Sequence, residues 1–118
     1  MGNRKSTMAL FVDRDQQQAL GALKERMERL LGDDLVSLRV FGSRARGDAE
    51  ADSDLDVALV ARNLDSGRRR EILDEVAEIE LEWLAPLSLI LLSEEDFLDL
   101  RNRERRIALD IVREGVEL

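Results

Sequence analysis

The sequence has no cysteine, no histidine and no tyrosine in 118 residues. Without cysteine there is no disulfide framework and no thiolate nucleophile. Without histidine the usual general base near neutral pH and the usual zinc ligand are both missing. Any catalysis must rest on carboxylates, hydroxyls, backbone amides, arginine and a hard metal ion. Lysine is scarce, with two residues against sixteen arginines, and the formal net charge is −8. That balance argues against general nucleic-acid binding, which needs a basic surplus to neutralise phosphates. It leaves room for a local anion site, because the planar guanidinium fork suits phosphate and carboxylate. No run approaches the roughly 20 apolar residues needed to span a membrane, and the start of the chain lacks the apolar segment of a signal peptide. The expected compartment is the cytoplasm, with no membrane partner.

What is present fits one small α/β domain. The length and an apolar share of 44% allow a genuine core. Residues 1–12 are expected to form a flexible N-terminus, and 13–118 a single domain. Asp13 or Asp15 can cap a helix to about Leu31, with Leu20, Leu23, Met27, Leu30 and Leu31 on one face and Gly32 at its end. Leu35–Phe41 reads as a strand packed on one face. A second strand, Asp54–Ala61, points Leu55, Val57 and Leu59 to the core and Asp54 and Asp56 to the other face. Asp65 or Ser66 caps a helix to about Leu84, whose stripe of Ile72, Val76, Ile79 and Trp83 is widened by Leu73 and Ala77. Leu87–Leu92 has strand length. Ser93 starts a helix to about Leu100, and another is expected from about Arg103 to Glu114. Val116–Leu118 can add a last strand. The expected fold is therefore a mixed sheet of three to four strands covered by helices.

The chemistry concentrates between Phe41 and Val60. Gly42–Ser43 breaks the first strand. Glycine permits a sharp turn and a close backbone approach, and Ser43 can cap a short helix or turn whose amides attract phosphate. Arg44 and Arg46 add positive charge. By itself a Gly-Ser pair is equally a structural turn, and it is not a Walker A loop. Asp54 and Asp56 are two acids on alternate strand positions. They could be plain exposed acids, or an oxygen site for Mg²⁺, which relieves their mutual repulsion.

Other readings of the segment fail. Asp52, Asp54 and Asp56 match the first three ligand positions of an EF-hand, but Val57 stands where glycine is needed and Asn63 where the bidentate glutamate belongs. Arg46-Gly47-Asp48 spells an integrin-type tripeptide in a chain with neither cysteine nor export signal. The arginine clusters 68–70 and 101–106 are interleaved with acids on helices and read as solvated partners.

The joint pattern is more specific than its parts. Gly42-Ser43, ten residues, then Asp54-x-Asp56, with a strand on each side, resembles the signature of the DNA polymerase beta-like nucleotidyltransferase superfamily. The SRARGDA and SDLDVALV segments look most like the minimal nucleotidyltransferases of bacteria and archaea, over roughly Leu20 to the C-terminus. The resemblance implies that Gly42 and Ser43, with Arg44 and Arg46 nearby, hold the phosphates of a nucleoside triphosphate, ATP being the expected one. It implies that Asp54 and Asp56 bind Mg²⁺ as the catalytic acids. The reaction implied is attack of a protein or small-molecule hydroxyl on the α-phosphate, with release of pyrophosphate. It further implies an antitoxin role beside an all-helical HEPN-type partner, and it leaves a homo-oligomer open.

One departure stands out. Members of the family carry a third acid on the next strand, and Ser88 occupies that place here. Serine supplies neither a metal-neutralising charge nor an effective base. Glu80, Glu82 and Glu94 are the nearby acids that could substitute. The alternative expectation is thus a catalytically inactive, nucleotide-binding or partner-binding antitoxin or scaffold. A plain structural domain with a chance motif is the third reading.

Overall fold

The computed structural model describes residues 14–41 and 54–118. Gly42, Ser43, Arg44, Arg46 and the expected N-terminal tail lie outside the described residues. In chain order the elements are α1 (Arg14–Leu31), a single 3₁₀ turn (Gly32–Asp34), β1 (Leu35–Phe41), β2 (Leu55–Ala61), α2 (Ser66–Trp83), β3 (Leu87–Ser93), α3 (Glu94–Asn102), α4 (Arg106–Glu114) and β4 (Val116–Glu117).

The sheet order is β3-β2-β1-β4. β1 pairs antiparallel with both β2 and β4, while β2 and β3 are parallel. The sheet is therefore mixed, and the α2 crossover is what allows the parallel pair. β2 is the central strand. All its residues except Asp56 are buried.

One face of the sheet carries α1 and α2. Leu20, Leu23 and Met27 of α1 and Ile72, Val76 and Ile79 of α2 pack on Leu38, Val40, Leu55, Val57 and Leu59. Burying side chains of this size contributes roughly 1.5–3 kcal/mol each. Gly32 ends α1 at φ +54°, a conformation glycine adopts without a Cβ penalty. The two helices are antiparallel. Arg26 of α1 reaches Glu75 and Glu82 at 3.1 Å and Glu78 at 3.3 Å, while Asp34, just past α1, reaches Arg68 at the start of α2. Asp65 caps α2 by accepting the Arg68 amide at 2.8 Å.

The other face is covered as well, which corrects the expectation that Leu35–Phe41 packs on one face: Leu38 and Val40 join one layer and Phe41 the other. Phe41, Ala58 and Ile111 form a second cluster with Ile90, Leu92, Phe97 and Ile107. The reason is that α3 and α4 follow β3 and fold back over the sheet. The sequence pattern cannot say which face they take. The α2 stripe is narrower than expected. Ile72, Val76 and Ile79 are buried, but Leu73 and Ala77 are exposed, on the flank of α2 opposite the Glu75, Glu78 and Glu82 flank that meets α1.

The break between α3 and α4 falls later than expected. α3 continues to Asn102, and Glu104 then takes a left-handed φ of +54°. The Arg105 amide reaches back to the Leu100 carbonyl at 2.9 Å and the Glu104 amide to Arg101 at 3.0 Å. This closes the helix as a left-handed C-terminal motif usually built on glycine. Glu104→Gly is expected to raise stability by about 0.5–1 kcal/mol, since the native conformation penalises a Cβ. Chemical denaturation of both proteins checks it, and an unchanged or lower midpoint contradicts it.

The Asp34 carboxylate fastens the α1–β1 turn to α2. It accepts from Arg68 at 2.6 Å and from Asn63 at 3.2 Å. The Arg68 hydrogen bond, then that of Asn63, holds its pKa below the ordinary 3.8. A lowered carboxylate pKa stabilises the fold above the unfolded-state value, and that stabilisation is lost as the pH falls through the folded-state value. Arg68→Met should therefore melt below the wild type at neutral pH. The gap should close on acidification below the ordinary aspartate value of 3.8. Melting curves across pH test this, and a gap constant into strong acid would contradict it.

Candidate active site

Three strand ends meet at one edge of the sheet. β1 finishes there with Phe41, and β2 and β3 begin there. Asp56, the second residue of β2, pairs with Phe41 on one side and with Ser88 on the other. Directly paired residues share a sheet face, so Asp56 and Ser88 point to the side that α3 and α4 cover further along. Asp56 is half-buried, whereas Asp54, one residue before the strand, is exposed, as is Ser88. Asp56 is the one charged residue in β2. Its position at the strand's end keeps a carboxylate at the margin of the apolar layer rather than inside it, where an ionised group is costly.

Two hydrogen bonds set where β3 enters. The Leu55 amide donates to the Pro86 carbonyl at 3.1 Å. The Leu87 amide donates to the Glu80 carboxylate at 3.0 Å. Glu80 reaches it from α2, on the face opposite Ser88. Together they fix the step that brings Ser88 beside Asp56. The sequence offered no signal for the Glu80 contact, because it joins a helix side chain to a strand amide across a turn.

That contact also settles the fate of the three substitute acids. Glu80 is committed to the Leu87 amide. Glu82 pairs with Arg26 on the outer surface of α1 and α2. Glu94 lies 3.8 Å from Arg62, beyond Ser93, which pairs with Ala61. At about 3.3 Å per residue it is on the order of 20 Å along the sheet from Ser88. None of the three joins Asp56 and Ser88. Among the described residues there is no group of three or more acids, histidines or cysteines able to hold a metal. The donor set of Asp54 and Asp56 still suits Mg²⁺, which takes one or two carboxylates and completes its shell with water and substrate phosphate. The phosphate-binding residues expected in sequence, Gly42, Ser43, Arg44 and Arg46, lie outside the described residues, directly after Phe41 in the chain.

A family model described as polymerase beta, nucleotidyltransferase matches residues 23–118. The chain belongs to this nucleotidyltransferase family. A candidate protein adenylyltransferase of Methanocaldococcus jannaschii is 37% identical over 75 residues, which are 61% of this chain and 51% of that protein. The chain thus matches about half the length of that relative. The crystal structure of a candidate nucleotidyltransferase from Sulfolobus solfataricus superposes with a TM-score of 0.50 at 18% identity, covering 99% of this chain and 86% of the other. This supports the nucleotidyltransferase fold and nothing finer. A toxin–antitoxin crystal structure with AMP-PNP follows at a TM-score of 0.47 and 24% identity, covering 80% of this chain and 70% of that one. Likeness at that level carries no functional weight. Among the described residues, no helix is long and apolar enough to cross a membrane.

Glu80→Ala should cost about 1–3 kcal/mol, the range for a hydrogen bond to a charged group whose loss leaves an amide unpaired. Hydrogen exchange should show the Leu87 and Ser88 amides losing protection before the rest of β3. Uniform loss along the strand would contradict a local fastening role.

Proposed function

We propose that this domain binds a Mg²⁺–nucleoside triphosphate at the strand ends around Asp56 and transfers the nucleotidyl group to a hydroxyl of a protein partner. The observation that carries the reading is the register. Asp56 stands beside Phe41, which leads directly into the Gly42–Ser43 pair, so the motif's acidic half lies against the exit to its phosphate half. In this reading Gly42 and Ser43 bind the β- and γ-phosphates, and Arg44 and Arg46 add charge. Asp54 and Asp56 hold the metal. Bound there, the ion supplies Lewis-acid stabilisation of charge on the transferring phosphate. The acceptor oxygen bonds to the α-phosphorus, the bond to the bridging oxygen breaks, and pyrophosphate leaves. Such chemistry needs positioning and electrostatics more than a histidine or cysteine, which matches the composition.

The name of the archaeal relative, a protein adenylyltransferase, supports AMP as the group moved and a protein as the acceptor. We assign the partner as a HEPN-type toxin on the sequence resemblance, with this chain as the antitoxin and the cytoplasm as its compartment.

A second reading is favoured by one specific feature, Ser88 beside Asp56. A hydroxyl there leaves the site one negative charge short of the family's three acids. Metal and nucleotide would then bind without efficient turnover, and the chain would act by holding its partner.

Titration calorimetry with Mg²⁺–ATP tests binding. Asp54→Asn should weaken it at least about tenfold, or roughly 1.4 kcal/mol. Equal binding by both forms contradicts the site. Transfer of labelled AMP to a co-expressed neighbouring gene product tests turnover. Transfer by the wild type supports the first reading. No transfer by the wild type or by Ser88→Asp supports the second.

A further inference from the structure

We infer that Arg39 binds the terminal phosphates of the nucleotide, the part that leaves as pyrophosphate. This rests on the reading above, which puts those phosphates where β1 ends. Arg39 lies inside β1, two residues before Phe41, and is half-buried. It pairs with Ala58 of β2 on one side and with Glu117 of β4 on the other. Alternate residues of a strand share a face, and so do directly paired residues, so Arg39, Phe41, Asp56 and Ala58 belong to the same side of the sheet. Phe41 pairs with Asp56, which makes Arg39 and Asp56 diagonal neighbours, a spacing that long side chains bridge.

The stem of Arg39 shows which way the side chain runs. A Cβ placed on Gly115 would lie 3.1 Å from the Arg39 Cδ. In the antiparallel pairing Arg39 matches Glu117 and Val40 matches Val116, so Gly115 follows at the level of Phe41. The stem therefore runs along the sheet from its own level towards that of Phe41, the end of β1 where Asp56 stands. Gly115 keeps this lane open. A side chain there would meet both the Arg39 stem and the Ile111 carbonyl.

A cation in such a place needs an anion, because withdrawing a charge from water is costly unless it is paired. Arg26 and Arg68 are half-buried between α1 and α2, and each meets a carboxylate. Among the described residues Arg39 has no carboxylate within ion-pair distance, Glu117 opposite it included. The formal net charge of −8 and the acids Asp54 and Asp56 make the site's surroundings repel a polyphosphate, and one Mg²⁺ offsets that only in part. A guanidinium at the end of β1 supplies the missing positive charge, in a planar fork that takes two phosphate oxygens at once.

Titration calorimetry of Arg39→Met with Mg²⁺–ATP, and separately with Mg²⁺–pyrophosphate, tests the assignment. The apolar replacement should weaken both ligands at least about tenfold, the size of a lost hydrogen bond to a charged group. The melting temperature of the ligand-free protein should stay level or rise, because an unpaired half-buried charge is removed. An arginine with a merely structural role would lower it. Glu117→Gln should bind both ligands as the wild type does. If Arg39→Met binds Mg²⁺–ATP as tightly as the wild type while Asp54→Asn is weakened, the role of Arg39 is overturned and the nucleotide site stands. No binding by the wild type overturns the site itself and this assignment with it. Weakened ATP with unchanged pyrophosphate, a fall in melting temperature alongside the lost binding, or an equal loss in Glu117→Gln each overturns the assignment too.

Discussion

The structure depends on β2 being held on all four sides. Its edges are paired with β1 and β3, and its faces are covered by α1 and α2 on one side and α3 and α4 on the other. A one-residue slip of such a strand would drive Asp56 into an apolar layer and turn every neighbour to the wrong face. The register is therefore strongly specified. What the fold gains is a carboxylate whose place is set by the packing of the whole domain. Asp56 is fixed between Phe41 and Ser88 because Leu55, Val57, Leu59 and Ala61 cannot sit elsewhere.

That constraint separates support from chemistry. The apolar layers lie further along the strands, and the polar residues sit where the strands begin or end. Glu80 shows how one acid can belong to support. Its carboxylate fixes the entry of β3 and so controls what stands beside Asp56, without joining the site. Arg26 and Arg68 likewise serve to fasten α1 and its turn to α2. Such exposed ion pairs contribute modestly one by one, and Arg26 gains from meeting three carboxylates at once. The domain is built so that Glu80, Glu82 and Glu94 are spent on scaffold rather than gathered beside Asp56.

Much of this was legible in the sequence because period and punctuation agreed. The helical spacing of Leu20, Leu23 and Met27, the alternation in β2 and the caps at Asp65 and Ser93 each mark an element the structure contains. The family assignment rested on residue types at a fixed spacing, and the match over residues 23–118 bears it out. What was not legible is non-local. Nothing in Ile107 or Ile111 says which sheet face they cover. Leu73 and Ala77 have the spacing of a core stripe, yet they lie on the flank of α2 turned away from α1 and stay exposed. The left-handed turn at Glu104 gives no glycine signal, so α3 ends two residues later and α4 begins three residues later than the pattern indicates. The likeness of Glu80, Glu82 and Glu94 as substitute acids dissolved once each acquired a partner or a distance.

The central claim is that the ends of β1, β2 and β3 form a divalent-metal and nucleotide site. Paramagnetic broadening by Mn²⁺ in the presence of ATP, read on backbone amides, tests it most directly. The account predicts that signals of Phe41, Leu55, Asp56, Leu87 and Ser88 broaden first. Those of Arg62, Asn63, Glu94 and Glu95, at the opposite end of the same strands, should remain sharp until much higher Mn²⁺. Broadening centred on that opposite end, or spread evenly over the acidic surface, would contradict it.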